Sequence, residues 1–264
     1  MNTIWMIASG TFGEAMRRKI LNVFLFVALA LMVMGFAFAS FSPKEEMVII
    51  KSLGLGVIGL AGVFISVILF INLVPTEIER RTIYTILSKP VQRYEFLLGK
   101  FVGGLMTVFV NIVFMGLAFV LLVAWKGNFS HEALQGCLDC LKGILMIFFQ
   151  LVILGGVGLC FSVFLSPFVN FFLSFALYLL GSMGVLESLS TPNKDQSPVA
   201  TSFFKFLHYI VPNFGNFNIQ NPIIHPDVII KNESIYIAQN VLYAIIYTAI
   251  LLIISVMIFD RKEV

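Results

Sequence analysis

Few side chains in this sequence have the type and spacing that metal binding or catalysis requires. Two of the three cysteines, Cys137 and Cys140, form a C-x-x-C pair, but no second pair accompanies them to complete a metal site. His131 and Glu132 form an H-E dipeptide without the second histidine of the zinc motif H-E-x-x-H. We therefore expect no metal site, no bound cofactor and no catalytic residue. We interpret the cysteines as ordinary residues near a membrane boundary, with a disulfide or redox pair as the alternative.

The charged side chains that could bind a partner concentrate at residues 75–100, PTEIERRTIYTILSKPVQRYEFLLGK. Thr76 and Glu79 have the spacing of a capping box, which predicts a helix that begins at Thr76. Glu77 and Arg81 are four residues apart, in the order that favours an ion pair on one helix face. Apolar residues occupy the opposite face. The segment therefore predicts a short amphipathic helix that lies along a membrane and presents its charges to a cytoplasmic partner.

The composition is that of a protein immersed in a lipid bilayer. The 264 residues are 59% hydrophobic and 12% charged, and the mean hydropathy is +0.98. A soluble domain has about 25% charged residues and needs a polar surface over its core. These values exclude a disordered chain, a nucleic-acid-binding protein and an ordinary soluble enzyme. They predict an integral membrane protein.

Six stretches are long and apolar enough to cross the bilayer, which takes about 20 residues of helix. The predicted spans are 20–41, 52–74, 101–125, 143–165, 168–186 and 238–259, and none contains Asp, Glu, Lys, Arg or His. Only Ser166 and Pro167 separate the fourth span from the fifth, which predicts a tight helical hairpin. The predicted fold class is all-α: one polytopic transmembrane domain over residues 1–264 with six membrane helices.

The basic residues predict how the chain is oriented. With the N-terminus inside, the inner segments hold ten basic residues, including every arginine, while seven lysines are spread over longer outer loops. We therefore expect a multi-pass protein of the cell (inner) membrane with both termini in the cytoplasm. Residues 1–19 have apolar side chains at helical spacing, which predicts an interfacial helix on the inner leaflet. Residues 187–237 form a long outer loop, in which the apolar stretch 203–211 predicts a short helix at the outer surface.

The predicted spans contain no group that could carry protons, and the chain has no motif for nucleotide hydrolysis. Secondary transporters often place carboxylates or histidines in the membrane for this purpose. The P-loop pattern G-x-x-x-x-G-K-[ST] is absent, because Tyr94 stands where its first glycine should be and Phe101 follows Gly99 and Lys100. A proton-coupled carrier is therefore disfavoured, a sodium site built from carbonyls and hydroxyls stays open, and a nucleotide-driven mechanism would need a second polypeptide.

The charged segment resembles a motif of the permease subunits of ATP-binding-cassette (ABC) transporters of the type-2 export family. The pattern is E-x-E-x-[RK]-T-[IL]-x-x-[LI]-L-S-[KR]-P-[VI]-x-R-x-E-[FY]-x-x-G-K. It is matched here by Glu77, Glu79, Arg81, Thr82, Ile83, Ile86, Leu87, Ser88, Lys89, Pro90, Val91, Arg93, Glu95, Phe96, Gly99 and Lys100. The six-span layout and the long outer loop also match. The stretch 211–214, followed by Phe217, is similar to an element of the subgroup associated with copper-enzyme maturation or gliding motility.

The resemblance implies a complex of two permease subunits, either a homodimer or a heterodimer, with two cassette ATPase subunits beneath them. ATP is used by the ATPase partner, and the helix between the second and third spans acts as a coupling helix in a groove of that partner. The ATPase-coupling residues that the resemblance implies are Glu77, Glu79, Arg80, Arg81, Lys89 and Arg93. The outer loop forms a lid or gate over the exit.

Two other functions stay open on the residues alone. One is a secondary transporter or channel that works without a partner. The other is a membrane scaffold or assembly factor that binds a cytoplasmic protein without moving a solute. A charge-free interior suits a lipid-like, peptide or amphiphilic substrate better than a bare ion. Gly99 and Gly103 form a G-x-x-x-G pattern, which we interpret as close helix packing within the chain rather than between two copies.

Overall fold

The computed structural model describes residues 3–41, 45–79, 92–128, 130–184, 198–219 and 232–261, and every regular element in them is helical. In chain order the helices are α1 Thr3–Met16, α2 Lys19–Ala39, α3 Glu46–Ile71, α4 Pro75–Glu79, α5 Arg93–Lys126, α6 His131–Ser162, α7 Pro167–Ser182, α8 Pro198–Ile210 and α9 Glu233–Asp260. A single 3-10 turn, Phe214–Phe217, follows α8 and is called the outer turn below. The predicted all-α fold is confirmed.

Five helices, α2, α3, α5, α6 and α9, are long and apolar enough to cross a membrane. The predicted fifth span, 168–186, corresponds to α7, which is apolar but has only 16 residues. Its length is about 24 Å, less than the roughly 30 Å of a bilayer core. The shortening has a local cause, because Gly184 follows the helix in a left-handed conformation with φ of +63°. The described residues thus include five helices long enough to span a membrane and the shorter apolar helix α7.

α5 extends well beyond the predicted third span at its N-terminal end. It begins at Arg93, because the backbone N–H of Gln92 donates to Oε2 of Glu95 at 3.1 Å and satisfies a donor that the helix leaves unpaired. With 34 residues, α5 is about 51 Å long and must project beyond the hydrocarbon core. We call the end of the bundle with α1, α4 and the start of α5 the inner end, and the opposite end the outer end.

The core is built around α3 and α6, whereas α2 and α9 are mostly exposed on the outside of the bundle. Phe70 of α3 is fully buried between α5 and α6. A Cβ added at Gly104 would lie 2.8 Å from the Phe70 ring, and one at Gly155 would lie 2.5 Å from it. Phe101 packs on the same ring at a centroid distance of 5.5 Å. These glycines are therefore needed to admit a large aromatic ring where three helices meet.

α1 packs along the N-terminal half of α5. A Cβ at Gly99 would lie 2.7 Å from the side chain of Ile7, and one at Gly103 would lie 2.5 Å from the carbonyl oxygen of Ala8. The G-x-x-x-G pattern therefore lets two helices of the same chain approach closely, as predicted. Trp5 is exposed on the far side of α1, where an aromatic ring suits the membrane interface.

Candidate coupling site and outer cavity

The structure describes only some of the predicted coupling segment. Glu77 lies in α4, which begins at Pro75, one residue before the predicted start. Glu79 is the last residue of α4, and only its backbone is described. Arg93 is the first residue of α5. Arg80, Arg81 and Lys89 lie outside the described residues, as does the predicted pairing of Glu77 with Arg81.

Glu77 forms an ion pair that the sequence analysis did not assign. Its Oε1 accepts a hydrogen bond from Nζ of Lys100 on α5 at 2.5 Å. The two side chains are only 14% and 7% exposed, respectively. Because the pair is buried, removing either partner would leave a charge away from water and destabilise this region. The contact fixes α4 to α5 immediately before residues 80–91.

Arg93 follows residues 80–91 in the chain, and its side chain contacts α9. Its Nη1 donates to the carbonyl oxygens of Phe259 at 2.8 Å and Asp260 at 3.1 Å, in the last turn of α9. The carbonyls in the last turn of a helix are incompletely satisfied within that helix, and the C-terminal end carries partial negative charge. The guanidinium also lies 5.8 Å from the ring centroid of Phe259. Arg93 therefore caps α9 and ties the start of α5 to it.

One aromatic pair joins these two contacts. The ring of Phe96 stacks on that of Phe259 at 6.1 Å and 20° between planes, and both side chains are fully buried. Nζ of Lys100 lies 5.8 Å from the centroid of Phe96. Glu77, Lys100, Phe96, Phe259 and Arg93 thus form a continuous row across α4, α5 and α9, which we call the inner clasp.

Sequence reasoning identified two members of the inner clasp as site residues and missed the role of the other three. Lys100 is separated from Glu77 by 23 residues, and Phe259 from Arg93 by 166. Contacts at these separations leave no periodic signal. One feature of the sequence could have pointed to the ion pair: Lys100 is a lone cation directly before an uncharged span.

A cavity of about 340 Å³ lies in the outer half of the bundle between α3, α6, α7 and the outer turn. Its walls are mostly apolar, with Leu60, Phe64 and Phe175 among them. The polar side chains at its surface are Gln150, Tyr178, Ser182 and Asn218. None of the described residues that line it is charged, so the cavity matches an uncharged ligand that can accept or donate a few hydrogen bonds.

The outer turn closes one side of this cavity. Phe214 and Phe217 are buried, and the Phe214 ring packs on Tyr178 at 5.4 Å. The backbone N–H of Asn213 donates to the hydroxyl of Tyr243 at 3.2 Å, and the hydroxyl of Tyr236 donates to the carbonyl oxygen of Asn216 at 2.7 Å. Residues 211–219 of the predicted outer loop are therefore docked against α7 and α9.

The C-x-x-C pair lies inside α6 rather than in a loop. Cys137 and Cys140 are free thiols with buried side chains, and Cys160 is also free and buried. Among the residues that the structure describes, no three His, Cys, Asp or Glu side chains gather as metal ligands would. Cys137 and Cys140 are therefore buried side chains of α6.

A family model described as ABC-2 family transporter protein matches residues 5–264. No curated protein matches the chain at a significant level. The match covers nearly the whole chain and coincides with an all-helical domain of several apolar membrane helices. The assignment to the copper-maturation or gliding-motility subgroup stays a prediction. The chain belongs to the ABC-2 transporter family and is a multi-pass permease subunit of an ABC transporter.

Proposed function

We propose that this permease subunit works in an ATP-driven exporter, in which a separate cassette ATPase binds residues 75–100 at the cytoplasmic side of the cell (inner) membrane. The chain binds no nucleotide itself, and a second permease subunit completes the membrane domain. Both termini lie in the cytoplasm. The inner clasp is the observation that carries the proposal, because it fastens both flanks of residues 80–91 to membrane helices.

The need for a partner follows from the uncharged interior. A permease changes from one conformation to another only when a ligand, an ion or a partner protein binds the two conformations with different affinity. The six predicted spans hold no Asp, Glu, Lys, Arg or His that an ion gradient could act on, which favours a driving contact from outside the membrane. A charged segment fixed at both flanks can transmit such a contact to the helices. This argument disfavours a secondary transporter that works alone.

The outer cavity supports an uncharged amphiphile as the substrate. A charged group in this cavity would have no counter-charge among the described lining residues. A second, apolar groove of about 380 Å³ runs along α2 and α3 on the outside of the bundle and shares Gly56, Leu60 and Phe64 with the cavity. The groove and the cavity therefore lie next to each other, and we propose that an amphiphile reaches the cavity from this lipid-facing side.

The partner is tested by purifying the tagged full chain from its native membranes and measuring orthovanadate-sensitive ATP hydrolysis. We expect a cassette ATPase to copurify, and Arg80→Glu with Arg81→Glu to reduce its recovery about tenfold or more. Lys205→Glu on α8, an exposed outer position, is the matched control and should leave recovery unchanged. Transport in ATP-free vesicles under an ion gradient would instead support the secondary transporter, and an ATPase bound with no ATP-dependent change in the permease would support the scaffold.

The substrate class is tested by adding a panel of lipids and hydrophilic ions to the purified complex. We expect uncharged amphiphiles to stimulate ATP hydrolysis, and Gln150→Leu to weaken that stimulation because it removes a polar group from the cavity wall. Gln239→Leu, on the exposed surface of α9, is the matched control. Stimulation by hydrophilic ions alone would contradict the proposed substrate class.

A further inference from the structure

Lys100 is the one charged residue among the described residues whose burial is nearly complete, at 5% exposed. Its partner Glu77 is also largely buried, and the buried ring of Phe96 lies beside it. An apolar pair of similar size commonly stabilises a protein as well as, or better than, a buried ion pair. Stability alone therefore gives no reason for the charges, whereas an ion pair fixes the geometry of the contact in a way that apolar packing does not.

The position of the pair indicates what the fixed geometry is for. Glu77 lies three residues before the segment 80–91, and Arg93 lies two residues after it. Glu77 is held by the inner end of α5, and Arg93 is held by the C-terminal end of α9. Any displacement of the segment is therefore applied at once to two membrane helices that are far apart in the sequence.

The aromatic pair makes the connection rigid. Phe96 and Phe259 are completely buried and stacked, so α5 cannot shift at its inner end without moving α9 or opening a cavity. Packed contacts of this kind shift between discrete arrangements rather than deforming continuously. The inner clasp consequently moves as one rigid unit.

We propose that the inner clasp makes Lys100 and Arg93 positioning residues, which carry a displacement of the ATPase-docking segment to α5 and α9 together. The inference rests on the proposed function and adds to it which membrane helices respond first. Without the Arg93 contact, α5 responds to the ATPase and α9 does not. Without the pair of Glu77 and Lys100, the response of both helices is weakened.

The test is hydrogen–deuterium exchange on the complex of the full chain with its copurified ATPase in lipid nanodiscs, with and without ATP and orthovanadate. In the wild type we expect nucleotide to change exchange in residues 93–100 and in residues 253–261. Arg93→Gln should keep the nucleotide-dependent change in residues 93–100 and lose it in residues 253–261. Arg93→Lys, which keeps a cation at the carbonyls, should restore much of the response.

A charge exchange tests the other half of the clasp. Glu77→Lys alone and Lys100→Glu alone should reduce the nucleotide-dependent change in both stretches about fivefold or more, and the double variant should recover it. Glu46→Gln is the matched control, because Glu46 and Lys126 join α3 to α5 by an ion pair at the outer end. It should leave the response of both stretches at the wild-type level.

The outcomes separate the two proposals. If the wild-type complex shows no nucleotide-dependent exchange in either stretch, the proposed function is wrong. If the wild type responds and Arg93→Gln responds equally in residues 253–261, only the clasp proposal is wrong. The thermal unfolding midpoint of each variant shows whether it is folded. If one of the single variants is not folded, the double variant Glu77→Lys with Lys100→Glu still tests the proposal.

Discussion

The two ends of the helical bundle use charged side chains differently. At the inner end, charged and aromatic groups form the continuous, buried row of the inner clasp. At the outer end the ion pairs are separate from one another. Glu46 pairs with Lys126 at 2.6 Å, and Lys142 pairs with Asp139 and Glu233 at 3.0 Å each. The outer side chains are also more exposed than those of the inner pair.

The difference indicates which end is built to move as one body and which is built to open. A buried, tightly packed row transmits a displacement from helix to helix. Isolated, half-exposed ion pairs contribute little each and can break individually. The outer end also contains the cavity and the docked outer turn. Four measurements can break or sharpen this comparison.

The largest expected effect is that of Lys100→Met. It removes the Lys100 cation from the buried Glu77 carboxylate and should destabilise the protein by about 3–5 kcal/mol, seen as a lower thermal unfolding midpoint in detergent. Glu77→Leu combined with Lys100→Met should recover most of that loss, since no buried charge remains. If Lys100→Met costs no more than Glu46→Gln at the outer end, the inner and outer pairs are equivalent and the comparison fails.

Phe214→Ala should show that the outer end can come apart locally. The ring is fully buried, and its loss should cost about 3 kcal/mol. We expect the cost to appear as release of residues 211–219, with hydrogen exchange there about 100-fold faster and the global unfolding midpoint nearly unchanged. Phe70→Ala, in the inner half, is the control and should lower the global midpoint. A global fall for Phe214→Ala would mean that the outer turn belongs to the main folding unit.

The membrane helices could be predicted from the sequence, but the contacts that join them to one another could not. Runs of apolar residues without charges predict helices directly, because lipid offers backbone groups no other partners. Pro90 predicted a second helix that carries Arg93 and Glu95 and continues into the third span, and α5 indeed includes both residues and begins at Arg93, where Glu95 caps it. The early end of α7 depends on the backbone conformation of Gly184, which composition does not reveal.

The sequence predicted the short helix that holds Glu77 but not the contacts that Glu77 and Arg93 make, and the ATPase-coupling role of these residues stays a prediction. The capping box and the charge pattern correctly marked Glu77 as a member of a short helix after the second span. They could not show that its partner is Lys100, because neither residue is within helical reach of the other in the sequence. Arg93 was assigned to an ATPase contact, while the structure places its guanidinium on the end of α9. That role depends on a helix terminus 166 residues away.

Tyr243→Phe should have a smaller effect, confined to the outer end. It removes the hydroxyl that accepts the hydrogen bond from the backbone N–H of Asn213. The loss of one such bond is worth about 1 kcal/mol, so the amide of Asn213 should exchange about fivefold faster. Tyr247→Phe removes a bond to Ile210 instead and serves as the control, because it should leave Asn213 unaffected. Unchanged exchange at Asn213 would show that other contacts hold the outer turn in place.

The smallest loss of stability is expected for Asp139→Asn, and a small loss would support the view that the outer ion pairs act separately. Lys142 keeps Glu233 as a partner after the change, and all three side chains are partly exposed, so the protein should lose no more than about 0.5 kcal/mol. Glu233→Gln should cost slightly more, because that pair joins α6 to α9 whereas Asp139 and Lys142 lie on one helix. The unfolding midpoints of both variants, measured at low and high salt, test this. A loss of several kcal/mol from either, insensitive to salt, would mean that the outer end is held as firmly as the inner clasp, and the bundle would then have no end that can open first.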